Sequence, residues 1–311
     1  MNRYAPVVLF VYNRPEHTRK TLESLSRNPE SALSDLFIFC DGPKKNTDEM
    51  NLEKIKEVRK VIREKTWCKN IIISESEVNK GLADSVISGV TQILSQHDKV
   101  IVLEDDLVLS SGFLKYMNTA LDRYRDNSGV WMISGYNFPV KEIKADHSAY
   151  FIPLTSTQAW ATWKRAWAMF DPQAKGYEEL KTNTQLRREF NLNDTFDYSS
   201  MLISQMETQN ISSWAIRLWW SVFRSKGLVL YPDKSLIANT GWDGSGAHCS
   251  DKNPYQDSEW DPEYYIEKFP AEIKANPNNF YKLIRYFKNL NGRFSKPTFF
   301  QRIMGKIRQL K

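Results

Sequence analysis

Along the first 110 residues, short unbroken apolar runs alternate with longer amphipathic stretches. Pro6 to Tyr12, Asp35 to Cys40, Asn70 to Ser74 and Val100 to Leu103 are dominated by Val, Ile, Leu and Phe, with no polar residue at every second position. Runs of that kind predict strands covered on both faces, which is the habit of parallel sheets. Between them lie Thr18 to Leu25, Met50 to Lys65 and a stretch opened by Asn79-Lys80-Gly81 that runs to about Ser95, each with helical spacing of its apolar residues. Pro15 stands near the start of the first of these, where a helix tolerates proline because the missing N–H would be unpaired anyway. Strand and helix therefore alternate through four strands. The pattern predicts an α/β fold whose mostly parallel central sheet is flanked by helices and joined by right-handed crossovers.

Polar side chains gather where three of these strands end: Asn13 and Arg14, then Asp41, then Glu104-Asp105-Asp106. Open α/β sheets place their ligands at that edge. The third group is the most informative. Three carboxylates follow Val100-Ile101-Val102-Leu103 without a break, and Leu107-Val108-Leu109 closes them in. Like charges so close raise one another's pKa unless a cation sits among them. A divalent cation with oxygen ligands satisfies that requirement. The plainer alternative is a strand followed by a solvated acidic loop. Arg14 suits a phosphate or a base, and Lys80 at a helix start suits an anion. Gly-x-Gly-x-x-Gly and Gly-x-x-x-x-Gly-Lys-Ser/Thr are both absent, so phosphates must be neutralised by other means than a glycine-rich loop.

The second half is less regular. Ala149 to Leu154 and Leu228 to Pro232 read as strands. Lys164 to Phe170, Met201 to Glu207 and Ile216 to Lys226 read as helices, and Gly176 to Asp197 as a charged, peripheral stretch. Ten Trp residues fall mostly in this half, and Trp160 and Trp163 are candidates for the floor of a sugar pocket, or for core. Gly241-Trp242-Asp243-Gly244-Ser245-Gly246-Ala247-His248 combines glycines with titratable groups, as loops that close over substrate do. Asp243 is a candidate catalytic base and His248 a candidate metal or diphosphate ligand. Glu207 is a second candidate base by position.

Taken together these residues resemble the nucleotide-sugar-binding half of GT-A fold glycosyltransferases, in particular the N-acetylglucosaminyltransferase I type and bacterial enzymes of surface polysaccharide synthesis. The likeness is carried by Asn13-Arg14, Asp41-Gly42, Val102-Leu103-Glu104-Asp105-Asp106-Leu107, Phe113-Leu114-x-Tyr116 and Trp131-Met132-Ile133-Ser134-Gly135-Tyr136-Asn137. It implies a metal-dependent transfer of sugar from a nucleoside diphosphate donor, a UDP-sugar by expectation, to a glycan or lipid-linked acceptor. It also implies that Arg14 and Asp41 contact the base, Asp105 the ribose or diphosphate, and Asp106 the metal. One departure stands out: where the family has an acidic pair before a Trp, this chain has Ser212-Ser213-Trp214. A nucleotidyltransferase and a degenerate glycan-binding protein are the alternatives. The first would normally bring a glycine-rich N-terminal loop, which Asn13-Arg14-Pro15 lacks.

The expected organisation is a donor-binding half over residues 1–140, an acceptor and catalytic half over 141–270, and a basic amphipathic tail over 271–311. From Arg293 to Lys311 basic and apolar residues interleave without an acid, so the tail suits either an anionic membrane surface or the protein body. No nucleic-acid recognition module is visible. Three cysteines, Cys40, Cys68 and Cys249, give no disulfide or zinc spacing. The first apolar run is too short for a signal peptide, and none approaches the ~18 residues of a spanning helix. The expected location is the cytoplasm, with the inner face of the membrane as a peripheral docking place.

Overall fold

The computed structural model describes residues 4–208, 213–244 and 260–294, the last four of these as backbone. Its first half alternates β1 (Val7–Val11), α1 (Pro15–Ser26), β2 (Asp35–Cys40), α2 (Glu49–Val61), β3 (Asn70–Glu75), α3 (Leu82–Gln96) and β4 (Lys99–Glu104). A short β5 (Leu107–Leu109), α4 (Phe113–Arg123), β6 (Val130–Ser134), β7 (Ala149–Ile152), β8 (Trp160–Trp163) and α5 (Lys164–Trp167) follow. Then come α6 (Glu179–Thr182), α7 (Thr184–Phe190), α8 (Tyr198–Thr208), α9 (Trp214–Arg224), β9 (Leu228–Pro232), β10 (Ile237–Asn239) and α10 (Pro277–Phe294).

Eight strands form one sheet in the order β3-β2-β1-β4-β8-β6-β9-β7. The four predicted strands are parallel neighbours, with Val7 opposite both Leu36 and Ile101. Their unbroken apolar runs have the expected cause. Val7, Leu9 and Val11 enter one core with Leu22, Leu25, Val58 and Val61 of α1 and α2. Val8 and Phe10 face the opposite way, into a second core with Val86, Val90 and Ile93 of α3. Each fully buried Leu or Val there contributes about 1.5–3 kcal/mol. β2 and β3 depart from the reading: β2 buries Leu36, Ile38 and Cys40 but leaves Phe37 and Phe39 half-buried, and β3, at the sheet edge, leaves Ile72 41% exposed.

Beyond β4 the sheet becomes mixed. β8 inserts between β4 and β6, antiparallel to both, so the segment around Trp160 is a strand rather than a pocket floor. Trp160 and Trp163 are 1% and 2% exposed. Trp160 lies against Trp214 and Trp167, and the Trp163 indole N–H donates to the Leu121 carbonyl at 2.9 Å. They are core. Gly176 to Asp197 is likewise not peripheral throughout, since Leu180, Phe190 and Leu192 are buried in the second core. The apolar residues after the acidic trio are not a continuation of β4 but a separate strand, β5, paired antiparallel with β10.

Candidate active site

β4 ends on Glu104, and Asp105 and Asp106 form the turn into β5. Both turn residues are buried, at 4% and 8% exposed. Two neighbours hold their backbone. The Thr21 hydroxyl of α1 donates to the Asp105 carbonyl at 3.0 Å. The backbone N–H and hydroxyl of Thr240 both donate to the Asp106 carbonyl, at 2.8 and 3.0 Å. Thr240 follows β10, so the β5–β10 pairing lays the Gly241 turn against the acids.

The cation that the trio requires is present in the chain itself. The parallel register puts Phe10 of β1 opposite Glu104, and four residues later Arg14 reaches across that edge. Its Nη2 donates to Asp105 Oδ1 and lies 3.1 Å from Asp106 Oδ2. Its Nη1 is buried and has no hydrogen-bond partner among the described residues. Burial works against the Arg14 charge, but Asp105 and Asp106 outweigh it and hold the guanidinium above its ordinary pKa. Burial pushes the Glu104 carboxyl up to about 8, with Asp106 and Asp105 pushing the same way and Arg14 opposing. Asp105 is pushed up to about 6, mainly by burial and against the pull of Arg14. A site with a guanidinium at one face and an excess of carboxylate is still short of positive charge.

Gly241 is the residue that lets this turn close on the acids. A Cβ at this position would fall 2.2 Å from Asp106 Oδ2 and 3.2 Å from Arg14 Nη1, so any larger residue would push the carboxylate or the turn away. Among the described residues, no group of three His, Cys, Asp or Glu side chains is arranged to hold a metal alone. Mg²⁺-type sites in nucleotide enzymes need fewer, since one or two carboxylates and the substrate's phosphates complete the shell. The Asp106 carboxylate fits a divalent cation, and the orphaned Arg14 Nη1 fits an anionic oxygen such as one of a diphosphate.

The remaining candidates fall into separate groups. Asp243 Oδ2 lies 3.2 Å from His17 Nε2, which is also 3.2 Å from the Thr240 carbonyl oxygen. His17 escaped the sequence reading. Its signal was its place three residues after Arg14, on the same face of α1's first turn. Asp41, at the end of β2, accepts from the backbone N–H of Gly42 and Lys80 at 2.9 Å and of Gly81 at 3.0 Å. It thereby clamps the loop before α3, where Gly81 takes a left-handed φ of 78°. Asn13 donates to the Asn51 side chain at 3.0 Å, and the Lys80 side chain is exposed. Glu207 is an exposed residue of α8 ion-paired with Lys181, and none of its described contacts reaches the acidic trio. His248 and Ser212 lie outside the described residues.

Among curated proteins no sequence matches this chain. Solved structures give remote likenesses. The crystal structure of S. aureus TarS is 12% identical at a TM-score of 0.38, covering 77% of this chain and 37% of its own. The Q189E active-site mutant of LgtC is 10% identical at 0.38, covering 93% and 95%, and apo mouse xyloside xylosyltransferase 1 is 13% identical at 0.34, covering 71% and 82%. The sequence itself is more decisive: residues 7–201, spanning the acidic trio and every strand from β1 to β8, match the family described as glycosyl transferase family 2. The chain belongs to glycosyl transferase family 2 and is a GT-A fold glycosyltransferase.

Proposed function

We propose that this glycosyltransferase moves a sugar from a nucleoside diphosphate donor, a UDP-sugar, to a hydroxyl of a glycan or lipid-linked acceptor in surface polysaccharide synthesis. Residues 1–140 bind the donor and 141–270 the acceptor. The observation that supports this most is the pairing of Arg14 with Asp105 and Asp106 against the close-packed Gly241 turn, with one buried guanidinium nitrogen still unpartnered. A diphosphate supplies acceptors for that nitrogen, and Asp106 supplies a carboxylate oxygen for Mn²⁺ or Mg²⁺. When bound, the cation offsets the charge that builds on the departing diphosphate.

The chain's own residues do the rest. Asp105 holds Arg14 in place, and Asp41 with the Lys80 loop borders the base. Asp243 takes the acceptor's hydroxyl proton as the oxygen forms its bond to the anomeric carbon. The bond from that carbon to the diphosphate oxygen breaks, and its electron pair leaves with the diphosphate. Two features favour Asp243 over Glu207 as base: its contact with His17 on the helix that carries Arg14, and the engagement of Glu207 by Lys181. His248, five residues further along the sequence, is a further ligand for the cation or diphosphate. Among the described residues no helix is long and apolar enough to cross a membrane, and we place the enzyme in the cytoplasm, docked on the inner face through its basic tail.

Hydrolysis of UDP-sugars with Mn²⁺ or with EDTA tests the reading, with Asp106→Ala, Asp243→Asn and Glu207→Gln alongside the parent protein. Turnover that needs Mn²⁺, disappears in Asp106→Ala, falls at least ~100-fold in Asp243→Asn and survives in Glu207→Gln is expected. Turnover that persists in EDTA and in Asp106→Ala would overturn it.

A further inference from the structure

A cleft of about 210 Å³ lies beside the acidic site and has no part in donor binding as argued above. Its first wall is Thr155, Ser156, Thr157 and Gln158, the segment that leads into β8. Because β8 runs antiparallel to β4 with Trp160 opposite Val102, the register carried two residues further brings Gln158 level with Glu104. Gln158 Oε1 accepts from Asn239 Nδ2 at 3.3 Å, and Asn239 Oδ1 in turn accepts from the Gly241 N–H at 2.8 Å. The cleft is thus joined by two hydrogen bonds to the turn that packs on Asp106.

Its other wall comes from α8 and the start of α9, with Tyr198, Met201, Ser213 and Trp219. Among the described residues that line it, no side chain carries a charge. The Trp219 indole N–H is already spent on the Phe190 carbonyl at 3.3 Å, so that ring offers the cleft an apolar face. Hydroxyls on one side, aromatic and thioether surface on the other, and no ionic partner are the complement of a pyranose ring, which has polar edges and apolar C–H faces. A carboxylate or phosphate inside would lack a counter-charge, and burying one unpaired is costly.

We propose that this cleft binds an uncharged sugar ring and excludes uronic acids and sugar phosphates at that position. The inference deepens the transfer reading, on which it rests. The ring belongs either to the acceptor or to the donor, and whichever enters the cleft is neutral.

Saturation-transfer NMR and calorimetry with methyl glucoside, methyl galactoside, methyl N-acetylglucosaminide and methyl glucuronide, each with and without UDP, test the proposal. At least one neutral glycoside binds and the glucuronide does not. Thr157→Val, which removes one hydroxyl, weakens that binding about 2- to 10-fold, the range set by one net hydrogen bond. Met201→Arg places a guanidinium in the cleft and turns the preference toward the glucuronide. UDP binding measured alone is unchanged in both variants, which separates failure of the cleft from failure of the donor site. If glycoside and UDP bind together, the ring is the acceptor's. If UDP-sugar outbinds UDP and loses that advantage in Thr157→Val, it is the donor's. Equal or tighter binding of the glucuronide by the parent protein, no binding of any neutral glycoside, or binding indifferent to both substitutions would overturn the proposal.

Discussion

Replacing Arg14 with Gln tests the electrostatic logic of the site directly. The substitution keeps a polar side chain but removes the charge from between Asp105 and Asp106. Those three side chains are 16%, 5% and 11% exposed. Removing one partner of a buried ion pair costs about 3–5 kcal/mol, and partial exposure places this one near 3 kcal/mol. In a chain of this size that is a fall of roughly 6 °C in melting temperature. The pH dependence has a definite sign. Glu104 at about 8 and Asp105 at about 6 both sit above their ordinary values of 4.5 and 3.8, so the folded protein binds more protons than the unfolded chain between those limits. Stability of the metal-free protein therefore falls as pH rises from about 4 to about 8. Without Arg14 both carboxyls rise further, so the gap between variant and parent widens with pH and narrows on acidification. Mn²⁺ should return much of the loss, since a cation at 100 times its Kd stabilises by about 2.7 kcal/mol. The parent should gain less, because Arg14 competes for the same carboxylates. Thermal and urea unfolding in EDTA across this pH range, then with Mn²⁺, are the measurements. A variant that melts with the parent at every pH, or a gap that widens toward acid, would refute the reasoning.

Two further outcomes follow from the geometry. Gly241→Ala puts a methyl 2.2 Å from Asp106 Oδ2, so the carboxylate or the turn must move. At an overpacking cost of about 1–3 kcal/mol the protein should still fold, while calorimetry should show Mn²⁺-dependent UDP binding at least ~10-fold weaker; unaltered binding would show the turn's position is not used. Asp41→Asn turns one of its two acceptor oxygens into a donor facing either the amides of Gly42 and Lys80 or that of Gly81. It should lose about 1–3 kcal/mol in urea unfolding and speed hydrogen exchange at Lys80 and Gly81, and unchanged exchange there would remove the clamp from the argument.

What the sequence made legible follows from how local each signal is. β1, β2 and β4 announce themselves because each is apolar on both faces over its whole length, and their helices because Leu22 and Leu25, or Val86, Val90 and Ile93, recur at helical spacing. β8 carried no comparable sign. Trp160-Ala161-Thr162-Trp163 is four residues long and becomes a strand only because β4 and β6 flank it, a pairing across some 60 residues on one side. The aromatic content left Trp160 and Trp163 open between pocket floor and core, whereas Trp160 fills the second core beside Trp214 and Trp167 and Trp163 fills the first. At the site, the acids and Arg14 were each visible, but their contact depends on the register of β1 against β4. His17 was invisible for a related reason: its partners, Thr240 and Asp243, are more than 220 residues away and are delivered by the β5–β10 pairing.

The direction of β8 decides what the acidic edge can become. Had the strand beside β4 run parallel to it, the segment entering that strand would lie at the far edge of the sheet, with Thr155 to Gln158 remote from the acids. Running antiparallel, β8 begins where β4 ends, so the chain enters it at the level of Glu104. The same reversal puts the hydroxyls of Thr155 and Thr157 on the side where α8 and α9 supply Tyr198, Met201 and Trp219. A purely parallel sheet offers one crevice at its switch point, sufficient for a nucleotide. Inserting one reversed strand adds a second, uncharged wall beside the charged one. Transfer between two substrates needs two neighbouring places, and here both lie within reach of the same turn at Asn239 to Gly241.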